Sequence, residues 1–332
     1  TALGSASAKL ATLMRKYSAT NSASLWSGTP YAFVTALHAS VARAPGRTSG
    51  RSEAGSAARS AMRTSQCTAL VGPLGLCPLT FTGSSAVGWG MKARAGKKRV
   101  VLELGGNAGV IVDATADVAY AVKRIAAGGF AYAGQSCISV QRVFVHDALY
   151  DEFSRRLVAA ISTLVVGNPL DPKTDLGPMI DPGEVDRIET WVNEAVAAGA
   201  KVLTGGRRVS RAVYAPTILE GVPEAAKVCA QEVFAPLVGL YRFTDFHAAV
   251  EAVNRSRYGL QAGVFTSDLT HTLAAFDRIE AGGVIINDVP TWRIDHMPYG
   301  GVKDSGIGRE GPRYTIEEMT EPKLLVINRE LT

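Results

Sequence analysis

The sequence predicts an α/β fold with mainly parallel sheets and helices on both faces, and three observations support this. From Leu79 onward, short apolar runs rich in Val, Ile and Leu alternate with longer segments whose apolar residues recur every three or four positions. Clusters of Gly, Pro, Asn and Asp separate them. With 332 residues, 47% of them apolar, the chain can bury a sizeable core and divide into two domains. Strands that alternate with helices favour βαβ units, and hence a parallel sheet.

Taken in order, the first 78 residues stand apart, since alanine and serine supply 28 of them and no period persists. Only Ala8 to Tyr17 has a helical pattern, Pro30 to Ala39 holds a short apolar patch, and Ala42 to Ser65 reads as disordered. The stretch Leu79 to Gly88 reads as strand, glycine turn and helix start. After Val100 to Asn107 comes a strand at Gly109 to Asp113, then a helix with Val118, Val122 and Ile125 on one face and Thr115 as the expected cap. The strand Val140 to Val145 leads into a helix over Ala148 to Leu164, with Leu149, Phe153, Leu157 and Leu164 at helical spacing. Gly167 to Pro172 is a turn cluster, a helix follows at Pro182 to Ala198, and Lys201 to Gly206 reads as a turn. Further strands are expected at Leu237 to Tyr241, Ala262 to Phe265 and Gly283 to Asn287, with helices at Phe246 to Asn254 and Thr270 to Ile279. A polar helix near Tyr314 to Met319 precedes a short terminal strand, Leu324 to Ile327.

Charge and cysteine usage exclude several functions. The formal charge of +5 comes from residues 1–78, which hold eight Lys and Arg against the single acid Glu53. No basic stripe with interleaved aromatics lies on a folded element, so nucleic acid is not an expected partner. Cys67, Cys77, Cys137 and Cys229 fit no zinc spacing and are too few for a disulfide scaffold. The five histidines show no ligand spacing either, so no metal is expected. No run of eighteen apolar residues exists, and a cytoplasmic protein without a membrane partner is expected.

Four stretches carry candidate chemistry. Gly134-Gln135-Ser136-Cys137-Ile138 places a thiol in a short loop between a helical segment and a strand, where a scaffold can aim it. Such a thiol attacks carbonyls only as a thiolate, which requires a base or a positive dipole nearby. A lone cysteine also reads as plain core. Val100 to Asn107 sets Glu103 inside an apolar run, 34 residues before Cys137. Burial there raises a carboxylate's pKa and suits it to general-base work, whereas on an edge strand it would be an ordinary surface acid. Gln231 to Pro236 offers a second acid, Glu232, which reads equally as the partner of an arginine. The glycine turn at Gly83 and Ser84 offers backbone N–H groups and a helix dipole to a phosphate, and also reads as an ordinary strand-to-helix connection.

In that order, the glycine turn, Glu-Leu-Gly-Gly, Gly-Gln-Ser-Cys and Glu-Val-Phe-Ala-Pro closely resemble the aldehyde dehydrogenase superfamily, from about Leu79 to Asn328. Met297 to Glu310 is similar to the family's glycine-rich segment near the C-terminus. The resemblance implies an NAD- or NADP-dependent oxidation of an aldehyde to a carboxylic acid. Cys137 would attack the carbonyl carbon, hydride would leave for the nicotinamide, and Glu103 would activate the water that releases the acid from a thioester. Relatives that pass the thioester to coenzyme A commonly lack that glutamate, so hydrolysis is favoured. Gly83, Ser84, Val87, Gly88, Leu104 and Gly105 match cofactor-binding positions. Glu232 matches the residue that holds the nicotinamide ribose, and Phe234 the aromatic beside the ring.

The same resemblance places Asn287 to Met297 at the substrate mouth and suggests a small polar aldehyde such as lactaldehyde, glyceraldehyde 3-phosphate or phosphonoacetaldehyde. Arg293 would meet an anionic group on it, or else be a solvated loop arginine, and Gln135 is a second candidate on the substrate side. Residues 1–78 do not resemble the family's cofactor-domain half, nor do they show its oxyanion asparagine or adenine-ribose lysine. The expected division is therefore an atypical segment at 1–78, the remnant of an incomplete Rossmann-type cofactor domain at 79–104, a catalytic domain at 105–310, and an oligomerisation tail at 311–332. In the family such a tail pairs with a neighbouring subunit, so the resemblance implies a homo-oligomer, dimer or tetramer. The competing expectation is a truncated, catalytically impaired remnant that serves as a folded or partner-binding subunit.

Overall fold

The computed structural model describes residues 78–327. The disordered stretch and the helix expected before Leu79 lie outside the described residues, as does Asn328. In chain order the elements are β1 (Leu79–Thr82), α1 (Ser85–Arg94), β2 (Val100–Glu103), β3 (Ala108–Val112), α2 (Val118–Phe130), β4 (Val140–His146), α3 (Asp147–Ser162) and α4 (Pro182–Ala197). There follow β5 (Lys201–Thr204), β6 (Arg208–Ser210), β7 (Val213–Tyr214), β8 (Thr217–Glu220), α5 (Lys227–Ala230), β9 (Leu237–Phe243) and α6 (Phe246–Asn254). Last come β10 (Tyr258–Gly259), β11 (Gln261–Phe265), α7 (Leu269–Arg278), β12 (Gly283–Ile286), β13 (Val302–Lys303), β14 (Gly306–Ile307) and α8 (Pro312–Met319).

A seven-stranded sheet in the order β12-β11-β3-β4-β9-β8-β5 forms the centre, parallel throughout except for β5. Successive residues of its strands face opposite layers. Val110, Val112, Val143 and Val145 pack under α2, α3 and α4, whereas Ile111 and Phe144 pack under α6 and α7. Both faces are therefore buried, which is why these strands read as continuous apolar runs.

Two expectations need correction. Thr115 does not cap α2; Asp117 does, accepting from the Tyr120 N–H at 3.0 Å, while the Thr115 hydroxyl accepts from the Ser267 N–H at 2.9 Å. Lys201–Thr204 is an edge strand rather than a turn, held by antiparallel pairing to β8. Its half-exposed side chains leave no alternation to read. β8 itself went unforeseen, because a four-residue strand buried between two neighbours carries no period. Among the described residues Leu324 to Ile327 pair with no strand and lie 68–86% exposed.

The second sheet decides the site. β1 and β2 run parallel, and β14, from more than 200 residues further along the chain, pairs antiparallel with β2, Gly306 opposite Glu103 and Ile307 opposite Leu102. Glu103 thus ends a central strand and does not lie on an exposed edge. Gly306 adopts φ +145°, and a Cβ there would fall 2.0 Å from the Leu102 carbonyl oxygen, so this pairing requires glycine.

Arg142 on β4 is buried and donates to Asn107 Oδ1 at 2.8 Å, Asn107 O at 3.1 Å, Ala252 O at 2.8 Å and Val253 O at 3.0 Å. Arg142→Leu strands these acceptors in the interior, with an expected loss of about 3 kcal/mol or more. Urea denaturation followed by circular dichroism measures it.

Candidate active site

Glu103 is 6% exposed, and neither of its buried oxygens has a hydrogen-bond partner among the described residues. Strand pairing to β1 and β14 fixes its backbone, and the Leu104 N–H donates to Ser305 O at 2.9 Å. Burial raises the Glu103 pKa to about 8; the nearby Glu310 adds to the rise, while Arg293 and Arg309 oppose it.

Cys137 sits beyond α2, whose last turn runs into a left-handed stretch: Tyr132 at φ +53°, Ala133 at +55° and Gly134 at +68°. Two successive non-glycine residues in this region cost about 1–2 kcal/mol each, so the loop must be held from outside. Gln135 holds it, its Oε1 accepting from the Ile180 N–H at 2.8 Å and its Nε2 donating to Tyr132 O at 3.1 Å. Both ends of the Gln135 amide are thus engaged with backbone, and its position serves the loop. Gly106 passes so close that a Cβ would lie 2.0 Å from the Cys137 carbonyl oxygen. The second glycine of the Glu-Leu-Gly-Gly run therefore allows the thiol loop to pack on the end of β2.

Glu103, 34 residues before Cys137, lies close enough for its charge to act on the thiol. Burial pushes the Cys137 thiol up, a hydrogen bond from Tyr299 pulls it down, and the charges of Glu232 and Glu103 push it up again. The Tyr299 hydroxyl lies 3.2 Å from Cys137 Sγ, and the Arg293 guanidinium stacks 3.8 Å over the Tyr299 ring. Arg293 also pairs with Glu310 at 3.2 Å, so it is packed against the site on one face and half-exposed on the other. Tyr299 was not singled out from the sequence. It stands within Met297 to Glu310, but its contact with Cys137 spans 162 residues and leaves no local signal.

Glu232 follows α5 and reaches back to Gly105 and Gly106, with Oε1 accepting from the Gly106 N–H at 2.9 Å. Burial raises its pKa, and the Gly106 N–H and the charge of Arg187 act against that rise. Two further side chains unread in the sequence hold this loop. Gln141 donates to Gln231 O at 2.7 Å and accepts from the Val233 N–H at 3.0 Å, and Asn107 donates to Cys229 O at 2.6 Å. Phe234 takes φ +48° and is 37% exposed, a strained non-glycine residue beside Glu232.

At the other end, Ser84 caps α1 in an extended conformation without a side-chain capping bond, and the first turn holds no acid. Such a helix start suits an anionic phosphate. Gly83 donates its N–H to Glu103 O at 3.0 Å, Gly88 faces Leu104, and Val87 is 38% exposed on the same helix. Among the described residues no cluster of His, Cys, Asp and Glu is arranged for a metal, and no helix is long and apolar enough to cross a membrane.

Comparison with known proteins places these residues in context. The sequence model of the family described as aldehyde dehydrogenase matches residues 67–325. A 3-sulfolactaldehyde dehydrogenase of Priestia aryabhattai is 50% identical over 249 residues, covering 75% of this chain and 52% of that protein. Among solved structures, aldehyde dehydrogenase 21 of Physcomitrella patens in complex with the reaction product succinate superimposes with a TM-score of 0.73 at 52% identity, over 75% of this chain and 52% of that one. A glyceraldehyde-3-phosphate dehydrogenase of Methanocaldococcus jannaschii complexed with NADP gives 0.70 at 43% identity, over 72% and 52%. The chain spans about half the length of the curated relatives it matches.

The buried acid makes stability depend on pH. Folding raises the Glu103 pKa from 4.5 to about 8, so the protonated carboxyl stabilises the fold fully below pH 4.5, and that contribution is lost as pH rises through about 8. Glu103→Gln is therefore expected to melt a few degrees above the parent at pH 8, with the difference vanishing toward pH 4.5. Thermal scans across this range measure it.

Proposed function

The chain belongs to the aldehyde dehydrogenase family, and from that premise we propose that it oxidises a small anionic aldehyde to the carboxylic acid with NAD or NADP. The observation that carries this is a buried, unpartnered carboxylate, Glu103, whose charge is felt by the Cys137 thiol. We propose residues 79–104 as the remaining part of a cofactor domain, 105–310 as the catalytic domain, and 311–332 as a tail for assembly into a homo-oligomer. The exposed Leu324, Leu325, Val326 and Ile327 support the last assignment.

Cys137, once ionised, attacks the aldehyde carbon, and its own backbone N–H stands beside the developing oxyanion. Ser84 and Gly83 at the start of α1 would hold the pyrophosphate of the dinucleotide, Glu232 and Phe234 its nicotinamide half, and Val87, Gly88, Leu104 and Gly105 would contribute further contacts. When bound, the nicotinamide supplies the hydride acceptor. Glu103 takes a proton from water, and the resulting hydroxide cleaves the Cys137 thioester. An unbonded carboxylate with its pKa near 8 is poised for that transfer, because it is neither solvated nor neutralised by a fixed partner.

Arg293 favours an anionic substrate. It is half-exposed beside Tyr299 and shares its charge with Glu310, an exchangeable partner on the mouth side. A sulfonate, a carboxylate and a phosphate recur in the substrates or products of the relatives above.

Two measurements test this reading. Aldehyde-dependent reduction of NAD or NADP is expected to rise with pH around a midpoint near 8 in the thioester-hydrolysis step, and Glu103→Gln to lower kcat roughly 100-fold or more while removing that dependence. Arg293→Ala is expected to raise KM about tenfold for an anionic aldehyde and little for a neutral one of equal length. An equal loss for both would remove the arginine from substrate recognition. Reduction of neither cofactor at any pH would leave the partner-binding subunit in place of the enzyme.

A further inference from the structure

Tyr299 has a place in the site that the chemistry above does not use. It is 4% exposed and packs with Ile138 and Leu260 in a small apolar cluster that Cys137 joins. Reciprocal backbone bonds with Glu310, at 3.1 and 2.6 Å, fix its position. Its hydroxyl is therefore held against the Cys137 sulfur from a backbone that cannot drift.

The charged groups around that sulfur make the contact matter. Glu103 from the end of β2 and Glu232 from the loop after α5 both direct negative charge toward the thiol. Arg293 lies across the Tyr299 ring and is itself shared with Glu310, while Arg309 lies near Glu103. A thiolate formed here has no proton to donate, so across the 3.2 Å contact the phenol must be the donor. Burial, together with the charges of Cys137 and Glu103, keeps the phenol protonated far beyond neutral pH, so the donor is present whenever the thiolate is. A guanidinium over the ring face withdraws electron density and strengthens the O–H as a donor.

We propose that Tyr299 is a catalytic residue: its hydroxyl donates a hydrogen bond to the Cys137 thiolate and sustains that ion between two carboxylates, with Arg293 on its ring as the positioning residue that strengthens the donor. This deepens the proposed function, because it concerns the nucleophile assigned there, yet it can be tested without aldehyde or cofactor. Iodoacetamide alkylates a thiolate by forming an S–C bond as the C–I bond breaks and iodide leaves, the thiol proton having gone to buffer. The rate at Cys137, read by peptide mass so that the other cysteines do not interfere, is measured against pH in the whole chain. Tyr299→Phe retains the ring and the packing. It is expected to move the reactivity midpoint up by about one pH unit, so that alkylation below the midpoint is about tenfold slower. Arg293→Met keeps a cover on the ring without the charge and is expected to shift the midpoint in the same direction by less. Unchanged melting curves for both variants show that packing is not the cause. A Tyr299→Phe profile that overlays the parent at every pH overturns the proposal, as does a shift only in Arg293→Met. Failure of the parent to reduce NAD or NADP with any aldehyde, alongside a shifted Tyr299→Phe profile, would reject the proposed oxidation and leave the tyrosine assignment standing.

Discussion

A carboxylate with no hydrogen bond, enclosed by protein, is the constraint on which the rest of this site depends. Left to itself, such a group would turn to water or acquire a permanent cation. Glu103 does neither: its oxygens are buried with no hydrogen-bond partner among the described residues, and its strand is the middle one of three, closed on one side by Leu79–Thr82 and on the other by Gly306–Ile307. Arg293 and Arg309 stand near enough to moderate its charge, but neither forms an ion pair with it, and Glu310 works against them. The carboxyl is thereby kept close to the balance between its two protonation states at physiological pH, the condition under which a general base transfers a proton most readily. The sheet supplies the energy that holds it there.

The second sheet also explains how distant stretches meet. The run from Val302 to Ile307 binds residues 102–105 through the Leu104 N–H and through Ser305, whose hydroxyl donates to Gly105 O at 2.7 Å and accepts from the Gly259 N–H at 3.0 Å. The same run follows directly on Tyr299, so clamping Glu103 and presenting a phenol to Cys137 are consequences of one chain path. On the opposite side, Asn107, Gln141 and Arg142 tie the loop that bears Glu232 to β4. These polar side chains are buried and bonded to backbone, which gives them geometry where flexible surface contacts would give little.

Much of the architecture could be read before any coordinates. Apolar runs such as Val143 to Val145 are continuous because both faces of the central sheet are covered, and the helices that cover it announce themselves by spacing. Where the reading failed, pairing decided in place of period: Lys201–Thr204 and Thr217–Glu220 are strands because each has a neighbour to bond. Thr115 was a sound capping residue by type, but Asp117 lies two residues closer to the first free N–H groups of the helix.

The sequence by itself determined which side chains are the candidates for the chemistry. One thiol stands in a Gly-Gln-Ser-Cys loop, one acid interrupts an apolar run, and a second acid stands in Glu-Val-Phe-Ala-Pro, all in an order that marks the family. Only the tertiary structure decided their state. It placed Glu103 where burial moves its pKa to about 8, surrounded Cys137 with negative charge, and brought Tyr299 and Arg293 to bear on the sulfur. The physical reason is that residue type depends on the chain alone, whereas solvation and electric field depend on every group within a few ångströms, most of them more than a hundred residues away.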